Sequence, residues 1–317
     1  MGVQPSVCAI VLNWNGWRDT VRCLASLRAS SYPNLRVVVV DNGSIDGSAA
    51  HLSPLLQAPW GELARAEYNR GFTGGANIGL RLALERGAEY AFLLNNDAAV
   101  EPSCIATLVE AAEQRSDVGL VGPKIVWSGD PGRIWSAGMS VAWRRVAIES
   151  HANQSDDGRF DGRRLVQGLS GCALLAKRDV LERVGLLDER YFAYYEDLDW
   201  CLRARQAGFR CLYVGAARAM HTGSATSNRD GGRSQSALLN YYGTRNILLF
   251  LATHAPPAER PIALARQVGK LPSALAQVIA GGLLLHRPNA RRRAWALAAG
   301  AIDAARGRFG GRYGVSS

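Results

Sequence analysis

The chain has 317 residues, of which 48% are hydrophobic, 20% charged and 8% aromatic, with a formal net charge of +10. That length suits one large α/β domain with an appendage or two small domains, and the composition excludes intrinsic disorder and collagen-like repeats. Six cysteines are scattered with no Cys-x-x-Cys pair, which argues against thiolate zinc. With no signal peptide ahead of the first strand, a reduced cytosolic setting is expected.

Apolar runs at 7–12, 37–40, 63–68 and 91–94 predict strands, and amphipathic stretches at 17–30, 48–56 and 75–86 predict the helices between them. Such alternation implies a parallel sheet with right-handed crossovers. A helix over 103–114 and a strand near 118–121 follow. Residues 130–164 are rich in Gly, Arg, Asp and Trp without periodicity, and read as an insertion of short strands and loops. Order returns with a strand at 171–176, a helix at 197–207 ended by Gly208, and a strand at 211–214.

Beyond residue 235 the pattern is helical, over 235–253, 261–285 and 290–305. Two domains are therefore expected, 1–234 and a basic helical region 235–317. From residue 255 onward ten Lys/Arg face only Glu259 and Asp303. An anionic membrane surface or a phosphorylated substrate suits that charge, and nucleic acid is the weaker reading. The apolar run 274–285 is shorter than the ~20 residues needed to span a bilayer. It fits either a packed helix or an interfacial one touching the inner face of the cell membrane.

Chemistry concentrates where strands end. Tyr90-Ala91-Phe92-Leu93-Leu94-Asn95-Asn96-Asp97 is a buried-strand pattern closing on two amides and a carboxylate. Ligands of parallel sheets bind beyond the carboxyl ends of strands, and a buried carboxylate there needs a partner or a metal. Asp41 ends the 37–40 strand in the same way, before the polar turn Asn42-Gly43-Ser44-Ile45-Asp46-Gly47-Ser48. Glycines in the 69–79 segment let a backbone approach a phosphate, although neither a Walker nor a dinucleotide fingerprint is present. Glu196, Asp197 and Asp199 open a helix beside Trp200, three acids where one would suffice as a cap. His221 after the last strand pairs with Asp97 as a candidate Mg2+ or Mn2+ ligand set completed by a bound diphosphate. Arg245, in Asn240-Tyr241-Tyr242-Gly243-Thr244-Arg245-Asn246, reads either as a diphosphate contact or as a surface ion pair.

In order, Ile10-Val11-Leu12-Asn13-Trp14-Asn15-Gly16, the 40–48 segment, Asn69-Arg70-Gly71-Phe72, Leu94-Asn95-Asn96-Asp97, Tyr195-Glu196-Asp197-Leu198-Asp199 and His221 resemble the family 2 glycosyltransferases, in particular their bacterial rhamnosyltransferase-like branch. The resemblance covers about residues 6–245. It implies a GT-A-type, Rossmann-like, mostly parallel sheet flanked by helices, with a C-terminal helical appendage, and inversion at the anomeric carbon. It also implies donor contacts at Asn13, Asn15, Asp41, Asn69, Gly71 and Asn96, with Asp97 as the last residue of an Asp-x-Asp motif and Asp197 as catalytic base. Glu196, Asp199 and Trp200 would support the acceptor. Asn95 departs from the fuller motif, which carries an acid there.

The expected activity is transfer of a sugar such as rhamnose from a nucleoside-diphosphate donor to a glycan or polyprenyl-diphosphate-linked acceptor, in cell-surface polysaccharide assembly. The tryptophans Trp127, Trp135 and Trp143 would either wall the acceptor side or pack a small core. A catalytically silent scaffold protein and a nucleotidyltransferase are the alternatives.

Overall fold

The computed structural model describes residues 4–223, 237–284 and 289–312. The chain opens with β1 (Val7–Asn13), α1 (Trp17–Arg28), β2 (Leu35–Asn42), α2 (Ser48–Leu52), β3 (Gly61–Ala66), α3 (Gly71–Glu85) and β4 (Tyr90–Asn95). It continues through β5 (Ala98–Val100), α4 (Cys104–Glu113), β6 (Val118–Trp127), β7 (Asp130–Ser136), β8 (Ser140–Ala142), β9 (Ala147–Glu149) and β10 (Arg163–Val166). β11 (Ala173–Lys177), α5 (Arg178–Arg183), α6 (Glu196–Gln206) and β12 (Arg210–His221) complete the sheet region. Four helices follow: α7 (Ala237–His254), α8 (Arg260–Gly269), α9 (Leu271–Leu284) and α10 (Ala290–Ala305).

The main sheet runs β10-β12-β6-β11-β4-β1-β2-β3, with β5 added to β12 and β7 to β6. β1, β2, β3 and β4 pair in parallel, as do β6 and β12. β11 runs antiparallel between β4 and β6. Strand residues alternate between two buried faces, as a period of two requires. Val7, Ala9, Val11, Val37, Val39, Phe92 and Leu94 meet α1 and α4 through Cys23, Leu24, Leu27, Ile105 and Leu108. Ile10, Val38, Val40 and Leu93 meet α3, α5 and α6 through Ala76, Leu80, Val180, Trp200 and Ala204. Both faces being covered explains the unbroken valine run of β2.

Several boundaries differ from the expected ones for identifiable reasons. α3 begins at Gly71, not at 75, so the glycine segment is helix rather than a phosphate-approach loop. A Cβ on Gly75 would lie 2.4 Å from Leu12 Cδ1, and one on Gly79 2.4 Å from Ile10 Cγ2, so these glycines let the helix press onto the sheet. The last strand extends from 211–214 to Arg210–His221, bulging between Val214 and Arg218 to reach β5. The helix expected over 261–285 is two, α8 and α9, since Pro272 supplies no N–H and can sit only in a first turn.

The expected helix start at 235 lies outside the described residues. α7 itself packs onto the sheet region: Phe250, Ile247 and Leu251 cluster with Tyr191 and Leu198, and Tyr241 and Tyr242 with Ala296 and Ala299 of α10.

Candidate active site

A cavity of about 720 Å³ opens at the carboxyl ends of β1, β2 and β4 and is roofed by α7. Of the expected site residues, Asn69, Gly71, Asn96, Asp97, Glu196, Asp197 and His221 line it. Asn13, Asn15, Asp41, Asp199, Trp200 and Arg245 are not among the lining residues.

The β-ladder between β5 and β12 places the metal candidates. His221 sits opposite Ala98, and the Thr222 N–H donates to the Asp97 carbonyl at 3.0 Å. The His221 Nε2 and Asp97 Oδ1 atoms then lie 3.0 Å apart. That distance is a direct hydrogen bond between imidazole and carboxylate, and it also equals the roughly 3 Å between two ligands bound at right angles about 2.1 Å from one divalent ion. Burial lowers the imidazole's proton affinity, but Cys172 and the Asp97 carboxylate outweigh it and push the pKa up to about 10. The Trp135 ring stands edge-on to His221 at 4.6 Å. No group of three or more His, Cys, Asp or Glu among the described residues is arranged to hold a metal. Any cation here would take two ligands from the chain and the rest from a bound diphosphate and water.

At the carboxyl ends of β1 and β2, amides brace the loops. Asn13 ends β1 opposite Asp41, and its Nδ2 donates to Asp41 Oδ1 and to Ser44 Oγ, each at 3.1 Å. Its Oδ1 accepts from Thr20 Oγ1 at 2.8 Å, and Thr20 accepts from Asn96 Nδ2 at 3.1 Å. Asn15, at φ 49°, accepts from the Ile45 N–H at 2.8 Å. Asn42, which the sequence reading assigned only to turn structure, donates to Asn69 Oδ1 and the Gly71 carbonyl at 3.0 Å. It also accepts from the Arg70 N–H at 3.0 Å. Gly71 adopts φ +73°, and a Cβ there would lie 2.5 Å from the Phe192 carbonyl oxygen.

The opposite wall is built from the 190–195 loop and the start of α6. Phe192, Tyr194 and Tyr195 have φ of 64°, 72° and 75°, a conformation costing roughly 1–2 kcal/mol for each non-glycine residue. Immediately after them, Asp197 accepts from the Gly171 N–H through Oδ2 at 2.9 Å and from the Leu198 N–H through Oδ1 at 2.7 Å. Burial raises its proton affinity while these amides oppose the shift. Glu196 is buried with Oε2 lacking a hydrogen-bond partner, and burial together with Asp197 pushes it up to about 8.

Three expectations need correction. Asp199 turns away from the cavity: His254 Nε2 lies 2.7 Å from its Oδ1 and Arg203 Nε donates to Oδ2 at 2.8 Å. Burial would raise its pKa, yet those partners hold it below the usual carboxylate value. Trp200 is a core residue whose indole donates to the Gly185 carbonyl at 2.8 Å. Arg245 is 1% exposed, and its guanidinium is engaged by the carbonyls of Arg190, Tyr191 and Gly310 and by Asn246. It is neither a cavity residue nor a surface ion pair. Of the three tryptophans only Trp135 lines the cavity, while Trp143 stacks on Phe250 of α7 at 5.5 Å. Phe192, Tyr242 and the 170–172 turn also line the cavity, and the sequence reading did not single them out.

Residues 8–185 match the family model described as glycosyl transferase family 2. Over 163 residues the chain is 33% identical to the uncharacterized protein Rv1525 of Mycobacterium tuberculosis, covering 50% of this chain and 57% of that one. The match thus spans little more than half of that relative's length. Over 241 residues it is 29% identical to the N-acetylglucosaminyl-diphospho-decaprenol L-rhamnosyltransferase of the same species, 66% of this chain and 73% of the relative. Among solved structures, the mannosyltransferase PcManGT from Pyrobaculum calidifontis, in complex with GDP-Man and Mn2+, superposes with a TM-score of 0.57 at 18% identity. That alignment covers 96% of this chain and 88% of the other. S. aureus TarS 1-349 with UDP-GlcNAc gives 0.56 at 14% identity, covering 96% and 92%. At these identities the likeness is one of fold, a GT-A-type sheet with flanking helices.

Proposed function

The chain belongs to glycosyl transferase family 2, and from that premise we propose that it transfers a sugar from a nucleoside diphosphate to an acceptor hydroxyl in one displacement, inverting the anomeric carbon. The observation that carries the reading is that Asp97 with His221, and Asp197 with Glu196, line one cavity, with Gly171 bonded to Asp197 and the adjacent Cys172 beside His221. Asp197 is the base: its two amide contacts aim the carboxylate, and burial raises its affinity for the incoming proton. The acceptor oxygen bonds to the anomeric carbon as the bond to the diphosphate breaks, and the hydroxyl proton passes to Asp197. Asp97 and His221 would hold Mg2+ or Mn2+, which when bound neutralises charge on the leaving diphosphate. The Asn13–Asp41–Ser44 and Asn42–Asn69–Gly71 networks shape the donor side, and Trp135 packs edge-on against His221.

The 29% identical relative acts, by its name, as a rhamnosyltransferase on a decaprenol diphosphate. This supports a deoxyhexose donor and a polyprenyl-diphosphate-linked acceptor in polysaccharide assembly. The decisive experiment is a thermal-shift screen of nucleotide sugars with and without Mn2+, followed by transfer assays of Asp197→Asn. Turnover should vanish while donor binding stays within about threefold; retained turnover removes Asp197 as the base. Asn95, in place of an acid, favours a second reading as a silent scaffold, for which donor binding without any turnover in the native chain is the signature.

The same reading gives residues 235–317 a membrane-facing role. No described helix is long and apolar enough to cross a membrane. α9 carries no charged residue, and none of its described side chains is buried. Arg291, Trp295, Ala298, Ile302 and Arg306 recur at spacings of three and four along α10, forming one stripe. Trp295 and Ile302 are exposed. Asp303, the only acid of that helix, is buried against Tyr241 and Arg312. An apolar stripe with cationic ends fits anionic lipid. Arg291→Glu with Trp295→Ala should cut cosedimentation with anionic vesicles at least tenfold; unchanged binding, or a stable dimer through this face, removes the role.

A further inference from the structure

Arg245 and Asn246 are a buried polar pair within an otherwise apolar stretch of α7, exposed by 1% and 0%. Such groups are costly unless every donor finds an acceptor, and here most of the acceptors are backbone carbonyls of one loop. Asn246 Nδ2 donates to the carbonyls of Tyr191, Ala193 and Tyr194 at 2.8, 2.7 and 3.0 Å. An amide has two hydrogens, so three acceptors share them. Arg245 Nη2 reaches the carbonyls of Arg190 and Tyr191 at 2.8 and 2.9 Å, and Nη1 that of Gly310 at 2.6 Å. Arg245 Nε donates to Asn246 Oδ1 at 2.9 Å, which turns the amide so that its nitrogen faces the loop.

The clasped loop is the one with three aromatic residues at positive φ, and it runs directly into Glu196 and Asp197. Left-handed backbone at such residues persists only where surroundings hold it. Phe192 is gripped from both sides: its carbonyl accepts the Thr73 N–H at 3.1 Å, and its ring stacks on Tyr242 of α7 at 4.8 Å. We infer that Arg245 and Asn246 are positioning residues that hold the 190–195 loop in its left-handed path, so that α7 sets where the Asp197 carboxylate stands against the donor. The inference rests on Asp197 being the base for its catalytic consequence, but not for the holding of the loop.

Hydrogen–deuterium exchange on the full chain separates the two. In Asn246→Ala, amides of 190–199 should exchange at least tenfold faster while those of β1 to β4 keep the native rate. Turnover of dTDP-rhamnose should fall ten- to a hundredfold in kcat, with KM changed less than threefold. Arg245→Lys, which keeps the charge but loses the planar fork, should show a smaller version of both effects, and it serves if Asn246→Ala does not fold. Unchanged exchange in 190–199, acceleration spread equally over the chain, or a loss confined to KM each overturns the clasp. Faster local exchange combined with full turnover in Asp197→Asn retires the base assignment and leaves the clasp standing as a loop holder.

Discussion

The two walls of the cavity are held by different means. At and behind the strand-end wall, polar side chains bond to one another: Asn13 to Asp41 and Ser44, Asn42 to Asn69 and Gly71. Asn13, Asp41 and Asn42 end paired strands of the parallel core, and Ser44, Asn69 and Gly71 follow close after strand ends, so pairing of the strands brings these groups together. On the base side, three aromatic residues sit in a left-handed path and are kept there by a helix more than fifty residues further along the chain. One wall is a by-product of sheet formation; the other depends on the later docking of α7.

That contrast breaks in ranked ways. Asp97→Ala strips the metal candidate and should lower transfer with Mn2+ by about 10²–10³-fold; initial rates across a metal titration check it, and a loss below tenfold would make the cation dispensable. Gly71→Ala strikes the point where the walls touch, forcing a Cβ onto the Phe192 carbonyl at φ +73°. It should cost about 2–4 kcal/mol of stability, read as a lowered midpoint in denaturant. Asn42→Ala removes three hydrogen bonds on the donor wall alone. Donor KM should rise roughly tenfold with little change in kcat, the reverse of what a base-side variant does. The smallest effect concerns pH. Glu196 holds a proton up to about 8 when folded, against an ordinary value of 4.5. Its contribution is complete below 4.5 and is lost as pH rises through about 8, because the unfolded chain then binds fewer protons. Glu196→Gln should flatten the decline of Tm between pH 5 and 8 by roughly 2–5 °C; an unaltered slope would mean Glu196 is ionised throughout.

The strands and the polar residues at their ends were legible in the sequence because both are local features. The apolar runs of β1, β2 and β4 announce themselves by period, and Asp41 and Asp97 stand at their carboxyl ends. The rest was hidden by distance or by ambiguity. The glycines of α3 look alike whether they approach a phosphate or a neighbouring strand, and only Leu12 and Ile10 decide between these. Asp199 belongs to the same acid cluster as Asp197, but its partner His254 lies 55 residues away. A signal for Arg245 and Asn246 did exist: a cation and an amide inside a run of Tyr, Ile, Leu and Phe must find acceptors in the interior. Which carbonyls accept is a tertiary matter that no spacing reveals.

The pairing of Asp97 with His221 has a consequence for how such a chain can diversify. The two residues are 124 positions apart, yet their separation is fixed by a three-residue ladder between β5 and β12. Everything between β7 and β10 hangs outside that ladder. The stretch is still tied to β12: Arg218 Nη1 pairs with Asp156 at 3.2 Å, and the Tyr213 hydroxyl donates to the Phe160 carbonyl at 2.8 Å. A change of length there pulls on the strand that carries His221, which limits how freely this segment can vary.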